Sequence, residues 1–281
     1  MRIPGPDQLT EPDFLFLYEH DRLELNSRDP RVDSHRMYVS RFEAVLAAVQ
    51  RGATALGRAP GGLTVLDIGC AQGNFSLALA ERGYLVFAVD LRLGFLRYAR
   101  LKYERGRVHW VNASADALPF GGPFDIVLLG ELIEHVAHVD ALLERVGALL
   151  APTGWLIVTT PNGDRLLTRL PSLSQIVDRS SLETRQFEPD ADGHLYLVTR
   201  AELAREFTKS GLHEVHHEYF ATPWVTGRIK FRYLTRWLPL GLTACLDRLC
   251  LALPALARRL AEGQLVVATR SAGACRVTRQ R

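Results

Sequence analysis

The sequence predicts an α/β fold: a doubly wound, seven-stranded, mostly parallel sheet with a helical insertion before the last strand. Three observations carry this expectation. Short runs rich in Val, Ile and Leu alternate with amphipathic stretches through the middle of the chain. That is the pattern of strands buried on both faces and joined by crossover helices. The first such run, Leu63 to Ile68, breaks at Gly69 and Gly73 and passes into an amphipathic stretch with Phe75, Leu77, Leu79 and Ala80. A strand, a glycine turn and a helix N-terminus in succession let a ligand touch the backbone. Asp90 then ends the next run, Tyr84 to Asp90. An acidic residue about 20 positions past the turn is placed to grip two ribose hydroxyls.

With 281 residues the chain can bury a full core, so one α/β domain with elaborations is expected. Lys and Arg number 34 against 31 Asp and Glu, which argues against a globally basic nucleic-acid binder and leaves a local patch open. The cysteines Cys70, Cys245, Cys250 and Cys275 lack C-x-x-C spacing, and the start has no long apolar run. They read as reduced thiols of a cytoplasmic protein without a secretory leader.

Residues 1–35 form an arm whose apolar cluster is Phe14 to Tyr18; its prolines include Pro4, Pro6, Pro12 and Pro30. A short helix packing on the body or covering the site is expected there. A helix starts near Arg36, with Tyr38, Phe42, Val45, Leu46 and Val49 at helical spacing, and ends before Gly52. Strands are expected near 63–68, 84–89, 107–111, 124–129 and 155–160. The helix after the first strand stops at Gly83 as C′ residue, and a second helix runs from about Leu93 to Tyr103. The helix after the fourth strand takes Asp140 as N-cap and stops at Pro152.

Residues 163–198 break this rhythm at a strand end, the place where long connections shape a substrate pocket. Thr199 and Glu202 make a capping box, with Val198 and Leu203 as its hydrophobic staple. Strand six runs from about Leu212 to Tyr219 and the last strand from Gln264 to Thr269, so the domain comprises 36–220 and 263–270. Between them, 221–262 has a basic aromatic half and an apolar half from Leu238 to Leu260. Asp247, Arg248 and Pro254 rule out a convincing membrane span. A packed helical cap and an interfacial surface that meets a membrane both remain open. The tail, 271–281, reads as frayed and basic.

A dinucleotide site prefers G-x-G-x-x-G, which this turn lacks: Asp67 precedes the first glycine by two and Ala71 stands where a middle glycine would be. The stretch Asp67-Ile-Gly-Cys-Ala-Gln-Gly73 instead resembles the first motif of the class I S-adenosylmethionine-dependent methyltransferases. The resemblance continues through Asp90, Ala113 to Phe120, and Phe124 to Val127, and covers about residues 36–219. It implies a Rossmann-like methyltransferase fold with an antiparallel last strand beside strand six. It implies that Asp67, Gly69, Cys70 and Gly73 line the turn and that Asp90 takes the ribose of S-adenosylmethionine. Leu91 would flank the adenine, Ala115 would offer it a backbone N–H, and Gly130 would lie against the methionine part. Ser114 stands where relatives carry Asp or Asn. Tyr38 and Arg41 are the candidates to reach the methionine carboxylate.

Methyl transfer needs an acceptor lone pair behind the methyl carbon, and a hydroxyl acceptor must also lose its proton. At the end of strand four, Glu131, Glu134 and His135 have i, i+3, i+4 spacing, one face of a helical turn. Two carboxylates and an imidazole suit a divalent cation such as Mg, Mn or Zn. This E-x-x-E-H resembles the ubiquinone-pathway O-methyltransferases and the small-RNA 2′-O-methyltransferases, which carry a later His before a capped helix. By that resemblance His194 completes a metal set of Glu131, Glu134, His135 and His194. Three roles stay open for the cluster: a metal centre, a metal-free base at His135, or hydrogen bonding at the strand end alone. The expected function is methyl transfer to a hydroxyl of a small molecule. The alternatives are 2′-O-methylation of an RNA 3′ end and a non-catalytic methyltransferase-like binding subunit.

Overall fold

A computed structural model describes residues 1–29, 31–187 and 193–271. Pro30, Cys275 and nearly all of the tail read as frayed lie outside the described residues. The elements in chain order are α1 (Pro12–Glu24), α2 (Asp33–Ala55), β1 (Thr64–Ile68), α3 (Asn74–Glu81), β2 (Leu85–Asp90), α4 (Leu93–Lys102), β3 (Arg107–Asn112) and β4 (Phe124–Gly130). There follow α5 (Val139–Leu149), β5 (Leu150–Pro161), α6 (Arg200–Lys209), β6 (Leu212–Phe220), α7 (Pro223–Thr226), α8 (Arg232–Thr235), α9 (Leu240–Ala252), α10 (Pro254–Leu260) and β7 (Gly263–Arg270).

The sheet has seven strands in the order β3-β2-β1-β4-β5-β7-β6. The first five are parallel, and β7 runs antiparallel between β5 and β6. Period-two alternation divides the core between the two faces. Leu66, Ile68, Val127, Leu129, Leu156 and Val158 bury against α5 and α6. Val65, Ile126, Leu128 and Ile157 bury against α2 and α3.

Local signals explain the element ends. Gly83 follows α3 with φ +97° and returns its N–H to Ala80 O at 2.9 Å. Thr199 Oγ1 accepts from Glu202 N at 3.2 Å while a Glu202 carboxylate oxygen accepts from Thr199 N at 2.8 Å, closing the capping box. Three expectations are corrected. α2 starts at Asp33 and runs through Gly52, where the Trp155 ring packs 3.1 Å from the place a Cβ would take, so the glycine serves packing and does not end the helix. α5 is capped by His138, whose carbonyl accepts from Leu142 N, while Asp140 sits in its first turn and accepts from Arg179 Nη1 at 3.0 Å. β5 begins at Leu150, before its apolar run, with a register shift between Phe124 and Ile126.

The arm packs on the body. Phe14 and Leu17 of α1 bury against Phe95 and Tyr98 of α4. Beneath them Lys102 Nζ donates to Asp21 Oδ2 at 2.6 Å and also to Asn74 Oδ1, and Asn74 Nδ2 donates to Asp21 Oδ1 at 2.9 Å. All three side chains are buried, so the pair is shielded from screening. Among the described residues no single helix is long and apolar enough to cross a membrane.

Candidate active site

The carboxyl ends of β1, β2, β3 and β4 open into a cavity of about 580 Å³, the crevice expected of an open parallel sheet. Its floor is the β1–α3 turn. Gly69 holds φ +71°, and a Cβ there would stand 2.9 Å from Leu132 Cδ1. Gly73 holds φ +73°, and its Cβ would meet Ala99 Cβ at 2.8 Å. Both positions therefore exclude side chains. Gly69 and Cys70 donate their N–H to Val89 O at 2.8 and 2.9 Å, which ties the turn to β2.

Asp90 is fixed by two backbone donors, Ala71 N to Oδ2 and Arg92 N to Oδ1, each at 2.8 Å. Each oxygen keeps a lone pair for a ligand. Burial pushes its carboxyl above the usual range. Asp67 lies deeper and accepts from Ser76 Oγ at 2.5 Å; burial raises it to about 6. Leu91, Ser114, Ala115 and Gly130 line the cavity with Asp67, Gly69, Cys70 and Asp90. Gly73 shapes the turn from behind the wall.

Several lining residues escaped the sequence-based site set. Asp116 lies two positions after Ser114, so a carboxylate stands on this wall after all, and it accepts from Gln186 Nε2 at 3.0 Å. The signal was its place within the 113–120 stretch. Phe16, Leu17, His20 and Glu24 reach the cavity from α1, so the arm covers the site. Phe16 and Leu17 belong to the apolar cluster of the arm, whereas nothing in the sequence marked His20 and Glu24.

Arg41 is not a solvated surface residue. Its Nη1 lies 3.4 Å from Glu131 Oε2, and its guanidinium sits 5.0 Å from the Tyr38 ring centroid. Arg41 Nε and Glu131 Oε1 are buried without a hydrogen-bond partner among the described residues. Glu131 holds φ +51°, a left-handed position rare for such a residue. The supposed single helical face is therefore not formed: a 3-10 turn spans only Ile133–His135, and Glu131 turns to Arg41. That corrects the four-residue metal set.

The other three members converge. Ligand atoms of Glu134, His135 and His194 lie within 4.8 Å of one another. Glu134 Oε2 accepts from Thr160 Oγ1 at 3.0 Å, whereas Oε1 is buried without a hydrogen-bond partner among the described residues. Burial, and then the charge of Glu131, hold the Glu134 carboxyl well above the usual range. His194 Nε2 stands 3.9 Å from Glu134 Oε1, and the His135 and His194 rings meet edge to face at 5.0 Å. Burial and then Arg165 lower the basicity of His194, which favours the neutral imidazole a metal binds. An orphaned buried carboxylate oxygen with two imidazoles beside it fits a divalent cation, and this donor set suits Zn or Mn better than Mg.

A family described as a methyltransferase domain matches residues 38–217. The ubiquinone biosynthesis O-methyltransferase of Leptothrix cholodnii is 37% identical over 106 residues, which are 36% of this chain and 45% of that protein. That of Caulobacter vibrioides is 39% identical over 125 residues, 43% of this chain and 49% of that protein. The chain thus spans less than half the length of these curated relatives. Among solved structures, magnesium protoporphyrin IX methyltransferase from Synechocystis PCC 6803 with bound SAH aligns with a TM-score of 0.57 and 17% identity, over 92% of this chain and 100% of that one. An S-adenosylmethionine-dependent methyltransferase from Mesorhizobium loti aligns with a TM-score of 0.53 and 22% identity, over 80% of this chain and 96% of that one. Both are likenesses of fold.

Proposed function

The chain belongs to the methyltransferase domain family, as a class I S-adenosylmethionine-dependent member, and on that premise we propose that it methylates a hydroxyl of a small-molecule acceptor. The observation that carries the proposal is the meeting of Glu134, His135 and His194 at the sheet edge, with His135 on the wall of the cavity under the glycine turn. The cavity fits S-adenosylmethionine: a cradle at Gly69 that a Cβ would fill, a carboxylate at Asp90 with lone pairs to spare, and the Arg41–Glu131 pair.

When bound, S-adenosylmethionine supplies an electrophilic methyl carbon on a sulfonium. Asp90 would accept from the ribose hydroxyls, Leu91 and the Ser114–Ala115 turn would flank the adenine, and Gly130 would lie along the methionine part. Arg41 and Glu131 carry charges opposite to the methionine carboxylate and ammonium. Without a metal ion, His135, with Glu134 and His194 behind it, would be the base that takes the proton of the acceptor hydroxyl. Glu134, His135 and His194 are the residues that would hold a divalent cation, whose chemistry is to lower the pKa of a bound hydroxyl.

The reading includes a cytoplasmic protein and a peripheral membrane contact through 221–262, and leaves nucleic acid out. Calorimetry with S-adenosylmethionine, followed by transfer of labelled methyl into a metabolite extract, tests it. Label in a base-stable small-molecule product supports it; label only in an RNA pool would replace it with 2′-O-methylation.

A further inference from the structure

We propose that the outer face of α8, α9 and α10 docks the protein on an anionic lipid bilayer. α9 is built inside out. Its buried residues are Thr243 and Asp247, one turn apart. Asp247 Oδ1 accepts from Thr222 N and from Thr222 Oγ1, both at 2.7 Å, and Thr243 Oγ1 accepts from Arg36 Nη2 at 2.8 Å. Polar bonds thus hold the helix to the body, while Leu242 and Leu249 of α9 face outward with Leu253 at the junction and Leu256 of α10; Leu240, Leu246 and Leu251 are half-buried. Leu249 is 57% exposed and Leu253 54%, with Leu242 and Leu256 also exposed. A helix on the surface of a soluble domain has the opposite arrangement, and a contiguous apolar face left outward marks a contact surface.

Shape and charge decide what covers it. α9 and α10 bend by 112° at their junction and neither helix alone is long enough to cross a membrane, a shape that suits lying along an interface. Trp237, 74% exposed, stands 4.8 Å from the Arg236 guanidinium, and Tyr233 stands 5.9 Å from that of Arg232. Aromatic rings beside snorkelling cations belong at headgroup level. From Arg228 to Leu260 there are seven Arg or Lys and one acid, the buried Asp247; Arg228 and Arg258 pair with Glu262 and Asp164, and the rest include Lys230, Arg232 and Arg236 beside the exposed aromatics. A pocket of about 530 Å³ beside Leu166 and Ile229 is lined by Arg165, Arg169, Arg228, Arg259 and Glu262; Glu262 pairs with Arg165 and Arg228, which leaves Arg169 and Arg259 to meet a lipid phosphate. Ile229 and Lys230 there hold φ +54° and +65°, backbone strain of the kind kept at ligand clamps. A second copy of the chain would bring the same cations against themselves, whereas anionic headgroups complement them.

The test is flotation of the full chain with phosphatidylcholine vesicles, with and without roughly 30% phosphatidylglycerol. The protein floats with the anionic vesicles about tenfold more tightly, and high salt weakens the binding. The double variant Arg232→Glu/Arg236→Glu removes the preference, and Leu249→Ser/Leu253→Ser removes binding, with S-adenosylmethionine affinity unchanged in both. Equal binding to both vesicles, no binding, or variants that bind like the wild type would overturn the proposal. So would a wild-type dimer in light scattering that Leu249→Ser/Leu253→Ser makes monomeric while neither binds vesicles, which gives the face to a second copy. The readout needs no methyl transfer, so it stands or falls apart from the catalytic proposal.

Discussion

His194 Nε2 stands 3.9 Å from Glu134 Oε1, two side chains that approach from opposite ends of the long connection after β5 and the turn after β4. The backbone fixes the meeting, since Leu195 N donates to Glu134 O at 2.9 Å. Glu134→Gln or His194→Ala should lower turnover by about a hundredfold, within the range for a lost proton-handling group. S-adenosylmethionine affinity should hold within about twofold, since neither residue lines its cavity. EDTA should mimic the loss, and Zn or Mn should restore turnover better than Mg, because two of the three donors are imidazoles. Full activity in EDTA with His135→Ala still inactive makes His135 a metal-free base.

Arg41 and Glu131 should act on cofactor affinity. Both are half-buried, with Arg41 Nε and Glu131 Oε1 fully covered, so removing one leaves the other's charge without its counter-ion. Arg41→Ala should weaken S-adenosylmethionine binding by about 1.5–3 kcal/mol, and Asp90→Ala by a similar amount, the scale of charge-assisted hydrogen bonds. Calorimetry that gives wild-type affinity for either variant removes that residue from the cofactor's contacts.

Asp67 makes stability fall with rising pH. Its carboxyl is held at about 6 by burial, above its unfolded value, so the folded chain binds the proton more tightly. The contribution is full below about pH 4 and is lost as pH climbs through about 6, a drop of about 3 kcal/mol. Asp67→Asn should flatten this part of the profile and melt later than wild type at neutral pH. Urea titrations at pH 4 to 7 check it; an unchanged slope in the variant would assign the drop to other buried carboxyls.

Lys102 is the anchor of the arm. Lys102→Met leaves the buried Asp21 without its counter-ion, with only Asn74 Nδ2 and Tyr98 OH donating to it, and should cost about 3–5 kcal/mol. It should also expose α1 to limited proteolysis and weaken cofactor binding, because Phe16 and Leu17 roof the cavity. Adding Asp21→Leu to Lys102→Met should recover part of the loss. A single variant as stable and as resistant as wild type would show that the arm holds by Phe14 and Leu17 alone.

Most of this sheet was legible because strand runs buried on both faces need no partner to be recognised, and because Gly69, Gly73 and the Thr199–Glu202 box have mechanisms that act locally. The site was legible where one short motif supplied it. What was hidden depended on distant partners. Gly52 is a glycine within a helix that packs against Trp155, and Glu131 turns from the cluster to Arg41. The arm's part in the cavity rests on Asp21 meeting Lys102, 81 residues on. In α9 Leu242 and Leu249 are exposed while Thr243 and Asp247 are buried, the reverse of what hydrophobic periodicity assumes.

The central claim is that one cavity binds S-adenosylmethionine and that the Glu134, His135 and His194 cluster beside it activates a small-molecule hydroxyl. The most direct measurement is transfer of tritiated methyl by wild type and His135→Ala, each with its cofactor affinity determined by calorimetry. The account predicts label in a small-molecule fraction with wild type, little or none with His135→Ala, and equal cofactor affinity for the two. Equal transfer by both proteins, or cofactor binding that fails in wild type, would contradict it.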